Sequence, residues 1–162
     1  MKNLEIENIV LETDYPYLKP EQWEGDVKMT NEKFETQMRK ILKKAGETSN
    51  LGFENDSVSI DPDRLVDYGI DYEGNLAIHE RSYPLKVSDI IAIQYRWNER
   101  SEDGFFRFKF KNGLHFHIMF SSDDYGFYGY AIKYGKNYKE FGVGTSKEII
   151  EYLNSILESQ TR

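Results

Sequence analysis

The sequence predicts an α+β domain. An antiparallel β-meander of about six or more strands packs with an internal helix (about 30–45) and a C-terminal helix (about 146–158). Two periodicities carry this reading. Apolar residues recur at helical spacing in the windows 34–45 and 149–157, and between them lie short runs rich in β-branched and aromatic residues, separated by turn chemistry. The 162 residues, 39 % hydrophobic and 15 % aromatic, suit a single domain over 1–162 with a sizeable core.

In chain order, residues 4–12 alternate as Leu4, Ile6 and Val10 against Glu5 and Glu7, which predicts a first strand. Tyr15-Pro16-Tyr17-Leu18-Lys19-Pro20 stops it, because proline lacks a ladder donor. Thr30 is a good N-cap for a helix whose stripe is Phe34, Met38, Ile41, Leu42 and Ala45, with Gly46 placed to end it. Glu32, Arg39, Lys40, Lys43 and Lys44 form the opposite, solvated side. Strand runs follow near 57–60, 65–70, 76–80, 83–87, 90–98, 105–111, 114–120 and 126–134. Turns are expected at Ser101-Glu102-Asp103-Gly104, Asn112-Gly113 and Asp123-Asp124. Thr145 and Glu148 are spaced as a capping box, and Ile149, Ile150, Leu153, Ile156 and Leu157 form the last stripe.

The Asn112-Gly113 hairpin permits a sharper expectation. A two-residue loop would pair Lys109 with Phe116 and Arg107 with Ile118, mixing charge and apolar bulk on both faces. A three-residue loop, Lys111-Asn112-Gly113, pairs Phe110 with Leu114, Phe108 with Phe116 and Phe106 with Ile118. That register buries Phe106, Phe108, Phe110, Leu114, Phe116, Ile118 and Phe120 on one face and gathers Arg107, Lys109, His115 and His117 on the other.

Charge is unevenly distributed. The net −7 divides into 18 acids against 10 bases over residues 1–81, and 10 acids against 11 bases over 82–162. Nine acids and one base, Arg64, fall between Glu47 and Glu80. Such a segment is either a solvated loop region or a surface that steers a basic partner. Asp61-Pro62-Asp63 starts like a calcium loop and then fails at Leu65 and Val66. The overall acidity opposes duplex nucleic-acid binding. The absence of cysteine removes disulfides, thiolate catalysis and Cys-based zinc sites. No apolar run approaches the roughly 20 residues of a membrane span, and the amino terminus is not a secretory signal, so a soluble cytoplasmic protein is expected.

Few arrangements carry chemistry. His115-x-His117 has the spacing of two metal ligands, but Arg107 and Lys109 are their expected cross-strand neighbours. Gly142-Val143-Gly144-Thr145-Ser146-Lys147 runs into a helix without Walker order, and no nucleophile elbow is present. No cofactor is implied. Tyrosines and tryptophans, by contrast, are abundant; Tyr15, Tyr17 and Trp23 stand among Glu12, Asp14, Glu21, Glu24 and Asp26, a composition suited to an interface.

In length, acidity, the 47–80 segment and that aromatic–acid cluster, the chain resembles the small acidic immunity proteins that protect bacteria from nuclease toxins, including those of contact-dependent inhibition. The resemblance implies a non-enzymatic cytoplasmic inhibitor that binds one basic toxin domain and covers its active site, acids standing in for phosphates. The partner-binding residues expected on this reading are Tyr15, Tyr17, Trp23, Glu24, Asp56, Asp61, Asp63, Asp67, Asp71 and Glu73. Two other classes stay open. A strand meander ending in one helix is similar to pleckstrin-homology-like modules for peptides, proteins or lipid headgroups, although the helix at 30–45 departs from that pattern. An enzyme would need a concave site joining some of His79, His115 and His117 to nearby acids.

Overall fold

A computed structural model of the chain describes residues 28–48, 66–121 and 126–160. Helix α1 spans Asn31–Thr48. Thr30 caps it, its hydroxyl accepting from Lys33 N–H at 3.1 Å and its carbonyl from Phe34 N–H at 2.9 Å. The expected stripe of Phe34, Met38, Ile41, Leu42 and Ala45 is buried throughout. The helix does not stop at Gly46 but runs on to Thr48. A glycine inside a helix costs only about 1 kcal/mol relative to alanine, too little to make it an obligatory stop.

Eight antiparallel strands follow among the described residues, in two sheets. Tyr68–Ile70 (β1), Asn75–Ile78 (β2) and Arg81–Lys86 (β3) form the first, in order β1-β2-β3. Pro84 sits in β3, an edge strand whose register with β2 shifts between Asn75 and Ala77, so its missing N–H breaks no regular ladder. A 3₁₀ turn at Val87–Asp89 leads into the second sheet. Its strands are Ile90–Asn98 (β4), Asp103–Phe110 (β5), His115–Ser121 (β6), Gly126–Tyr134 (β7) and Asn137–Gly142 (β8), in sequence order. Both sheets are meanders, as the α+β reading expected. The runs at 4–12 and 57–60 lie outside the described residues.

The β5–β6 hairpin has the three-residue loop. Phe110 N–H donates to the Leu114 carbonyl and Gly113 N–H to the Phe110 carbonyl, both at 2.9 Å, while Gly113 takes φ +92°. Phe108 faces Phe116, Phe106 faces Ile118, and Arg107 and Lys109 face His117 and His115. All seven residues expected inside are buried.

β8 has no counterpart among the predicted strands. Only Phe141 in it is buried, so no alternation marks it; backbone pairing with β7 and the Phe141 ring, 5.7 Å from Tyr152, hold it in place. The turn before β5 also falls earlier than expected, because Asp103 and Gly104 already belong to the strand. Asn98 organises that turn, its side-chain oxygen accepting from Arg100 and Ser101 N–H. Helix α2, Ser146–Gln160, starts from the Thr145 carbonyl, which accepts from Ile149 N–H; the Thr145 hydroxyl donates to the Gly142 carbonyl at 2.7 Å.

One hydrophobic cluster joins α1, both sheets and α2. Phe34 packs 6.3 Å from Phe108, and Tyr83 of the small sheet lies 5.4 Å from Phe116 and 6.0 Å from Tyr130. Helices and small sheet thus share the inner face of the five-stranded sheet. Replacing Phe116 by Ala removes a ring buried among these groups and is expected to lower stability by about 3–5 kcal/mol in urea denaturation. Gly104→Ala is expected to destabilise as well, since a Cβ there would lie 2.0 Å from the Arg96 carbonyl oxygen. A Gly104→Ala protein as stable as the parent would contradict the close approach of β4 and β5.

Candidate functional site

Of the partner-binding residues expected from the sequence, Tyr15, Tyr17, Trp23, Glu24, Asp56, Asp61 and Asp63 lie outside the described residues. Asp67, Asp71 and Glu73 come together on the β1–β2 hairpin. Its inner side is anchored by Val66, Leu76 and Ile78, all buried, and its register pairs Tyr68 with Ile78 and Ile70 with Leu76. The Asp67 carbonyl accepts His79 N–H at 2.7 Å, closing the open end.

At the tip, Asp71 builds the turn. Its Oδ1 accepts from Glu73 N–H and Asn75 N–H, both at 2.8 Å, and its Oδ2 from the Asn75 side chain at 3.3 Å. The bond from the Asn75 backbone, foremost, holds this carboxyl below its ordinary pKa. Gly74 completes the turn at φ +83°. Asp71 is therefore a turn-former whose oxygens are already engaged. Glu73 is exposed, and its carbonyl accepts from Lys86 Nζ at 2.7 Å. Between them Tyr72 stands wholly in solvent, the most exposed large hydrophobic side chain among those described. From Val66 to Glu80 every charged side chain is an acid: Asp67, Asp71, Glu73 and Glu80. Tyr72 escaped the sequence reading because one tyrosine among twelve carries no signal until a tight turn lifts it out.

The outer face of the five-stranded sheet gathers Arg107, Lys109, His115 and His117, as expected, and adds Lys133 opposite His115. Arg107 donates to the Gln94 side-chain oxygen at 3.0 Å and lies 5.0 Å above the Phe105 ring. His117 stacks on the same ring at 4.7 Å, with His115 6.2 Å away. Although it lies on the face opposite the core, His117 is only 7 % exposed, and its Nε2 has no hydrogen-bond partner. Burial, reinforced by Arg107, Lys109 and Lys133, pushes His115 down to about 3; burial and Arg107 push His117 well below its ordinary value. Both are neutral at pH 7, and the face owes its positive charge to Arg107, Lys109 and Lys133. A metal ion at the two histidines would be repelled by these neighbours, and among the described residues no group of three or more His, Asp or Glu is placed to hold one. His79 lies on the opposite side of the sheet, its ring 4.3 Å from that of Phe127.

Beside this face is an open cleft of about 840 Å³, lined in part by Arg96, Trp97, Arg100, Phe105, Tyr128 and Tyr138. It was not legible in the sequence. A bulge in β7 pairs Gly129 with Met119 and Phe127 with Phe120, leaving Tyr128 as the extra residue on the outer side.

No protein-family model matches the chain, and no curated protein or solved structure is significantly similar to it. No helix among the described residues is long and apolar enough to cross a membrane.

The depressed histidines make stability depend on acid. Below the ordinary histidine pKa of 6.5 the unfolded chain takes up protons that folded His115 refuses until about pH 3. Stability is therefore expected to fall as pH drops from 6.5 towards 4, above the range in which the Asp71 carboxyl protonates. Urea midpoints measured across that interval should flatten in a His115→Gln, His117→Gln protein. An unchanged slope would contradict the buried neutral pair.

Proposed function

We propose that this chain is a non-enzymatic binding protein that docks a basic protein partner through an acidic surface centred on the β1–β2 hairpin. The observation that carries this reading is Tyr72, fully exposed on a turn built by Asp71 with Glu73 beside it, in a stretch from Val66 to Glu80 whose sequence holds no base. An exposed tyrosine on a fixed turn supplies contact area at small entropic cost, because only two side-chain torsions are frozen. The surrounding acids raise the encounter rate with a positively charged surface. In the specific form favoured by the chain's acidity, the partner is the nuclease domain of a bacterial toxin. The protein then acts in the cytoplasm as its immunity protein, covering a cleft that otherwise receives phosphates.

The chemistry divides the labour within the hairpin. Asp71 keeps its place by accepting three N–H groups, so it shapes the tip. Asp67, Glu73 and Glu80 supply the field. Tyr72 supplies the contact that forms after encounter.

The test is reconstitution with the basic toxin-like protein encoded beside this chain. A stable complex is expected whose association rate falls with added salt. Tyr72→Ala should weaken it about tenfold or more, mainly by faster dissociation. Glu73→Lys with Asp67→Lys should act mainly on the association rate. The absence of any such neighbour, or a complex indifferent to salt and to all three substitutions, would overturn the reading.

A further inference from the structure

The bulge in β7 turns Tyr128 into the open cleft beside the cationic face, whose volume of about 840 Å³ is within the range of small-molecule sites. Bulges often re-aim one side chain next to a functional site. Two guanidinium groups reach the same cleft from either side of Phe105. Arg96 is its cross-strand partner, and Arg107 lies 5.0 Å above its ring. Arg107 is positioned before any ligand arrives, since it donates to the Gln94 side chain at 3.0 Å.

A second mark lies behind the cleft wall. His117 stacks on Phe105 at 4.7 Å and meets the Tyr138 ring edge-on at 6.4 Å, and both rings line the cleft. It is more than nine-tenths buried, yet its Nε2 has no hydrogen-bond partner. Buried nitrogens are normally paired, and an exception calls for an explanation. Tyr138 itself is half exposed, and its hydroxyl donates to Glu140 at 3.0 Å. A ligand in the cleft is thus one ring away from an unused acceptor.

The lining decides the ligand class. Glu99, Asp103 and Glu140 share the cleft with the arginines, so neither a bare polyanion nor a cation is matched. The charge is graded along the strands instead. Glu99 and Asp103 lie at the β4–β5 turn, where Arg100 offsets only part of their charge. Arg107 lies four residues along β5 from Asp103, about 13 Å away. Beyond it the next outward-facing row carries Lys109 and Lys133, which outweigh Glu140. Such a gradient suits a ligand that is anionic at one end and offers N–H donors at the other. Tyr128 and Met119, between the two ends, suit the flat face of an aromatic ring.

We propose that this cleft binds a nucleoside monophosphate whose base carries an exocyclic amino group. Arg96 and Arg107 hold the phosphate, Tyr128 stacks on the base, and Glu99 and Asp103 accept from its amino group. The half-exposed Tyr138 ring turns aside for the ribose, one of whose hydroxyls donates to His117 Nε2. The site is independent of partner docking, since it opens on the outer face of the five-stranded sheet and shares no residue with the β1–β2 hairpin.

The full chain, labelled with ¹⁵N, is titrated separately with the monophosphates of adenosine, cytidine and uridine, with cytidine itself and with inorganic phosphate. Each is taken to about 20 mM and followed by amide shifts. Expected are saturable shifts at Phe105, Arg107 and His117 with the adenosine or cytidine monophosphate, at a Kd of about 1 mM or tighter. Uridine monophosphate has a carbonyl where the cytidine compound has its amino group; it, cytidine and phosphate should each bind about fivefold more weakly or worse. Arg107→Gln should weaken binding about tenfold or more, and Tyr128→Leu about fivefold, in proteins whose melting curves show them folded. The ligand series alone decides the matter if either variant fails to fold. Non-saturable shifts with both amino-bearing nucleotides would overturn the proposal. So would equal binding of cytidine, phosphate or the uridine compound, or a folded variant that binds as well as the parent.

Discussion

The structure depends on one constraint, the phase of the β5–β6 hairpin. Side chains alternate across a strand with period two, so the length of a single loop decides which set faces inward. With Lys111, Asn112 and Gly113 in that loop, Phe106, Phe108 and Phe110 point the same way as Leu114, Phe116 and Ile118. β6 is the central strand, so its neighbours inherit the phase: Phe116 sits between Phe108 and Ile132, and His117 between Arg107 and Ala131. The small sheet and α1 then have an aromatic floor on which to dock, through Tyr83 and Phe34. A slip of one residue would set Lys109 against Phe116 and Arg107 against Ile118, and no face of the hairpin would be free of charge.

The same alternation sorts the charge. Arg107, Lys109 and Lys133 collect on the outer face of the sheet, while the acids between Val66 and Glu80 stay on the β1–β2 hairpin and the turn that follows it. A net charge of −7 thereby becomes two surfaces of opposite sign. Their consequences differ. The cationic face is built close, with Arg107 against Phe105 and a neutral His117 beneath, so its charge is tied into packing. The acidic hairpin projects from the core and holds its aromatic residue clear of every neighbour. Only the second has the form of a surface that awaits something.

Much of this was legible in the sequence because it rests on burial. The α1 stripe, the α2 stripe and the hairpin register all follow from where apolar side chains must go. What the sequence did not disclose rests on backbone geometry. β8 is an edge strand with four consecutive exposed residues, and backbone bonds, which any sequence can make, position it. The bulge that turns Tyr128 outward needs one extra residue in a run already full of aromatics. Gly46 reads as a stop, but its small propensity penalty does not end the helix, which runs on to Thr48. Asp71 and Tyr72 are neighbours of opposite fate, one absorbed by a turn and one released by it, and only the hydrogen bonds of that turn separate them. Glu80 is the same lesson, since its left-handed conformation, φ 65°, has no signature in residue type.

The register of β5 against β6 is the claim on which the rest stands, and cross-strand proton contacts measure it directly. A nuclear Overhauser spectrum of the folded chain should connect the backbones of Phe108 with Phe116 and Phe106 with Ile118, with Arg107 opposite His117. Contacts joining Lys109 to Phe116 and Arg107 to Ile118 would place the strands one residue out of phase and contradict the account.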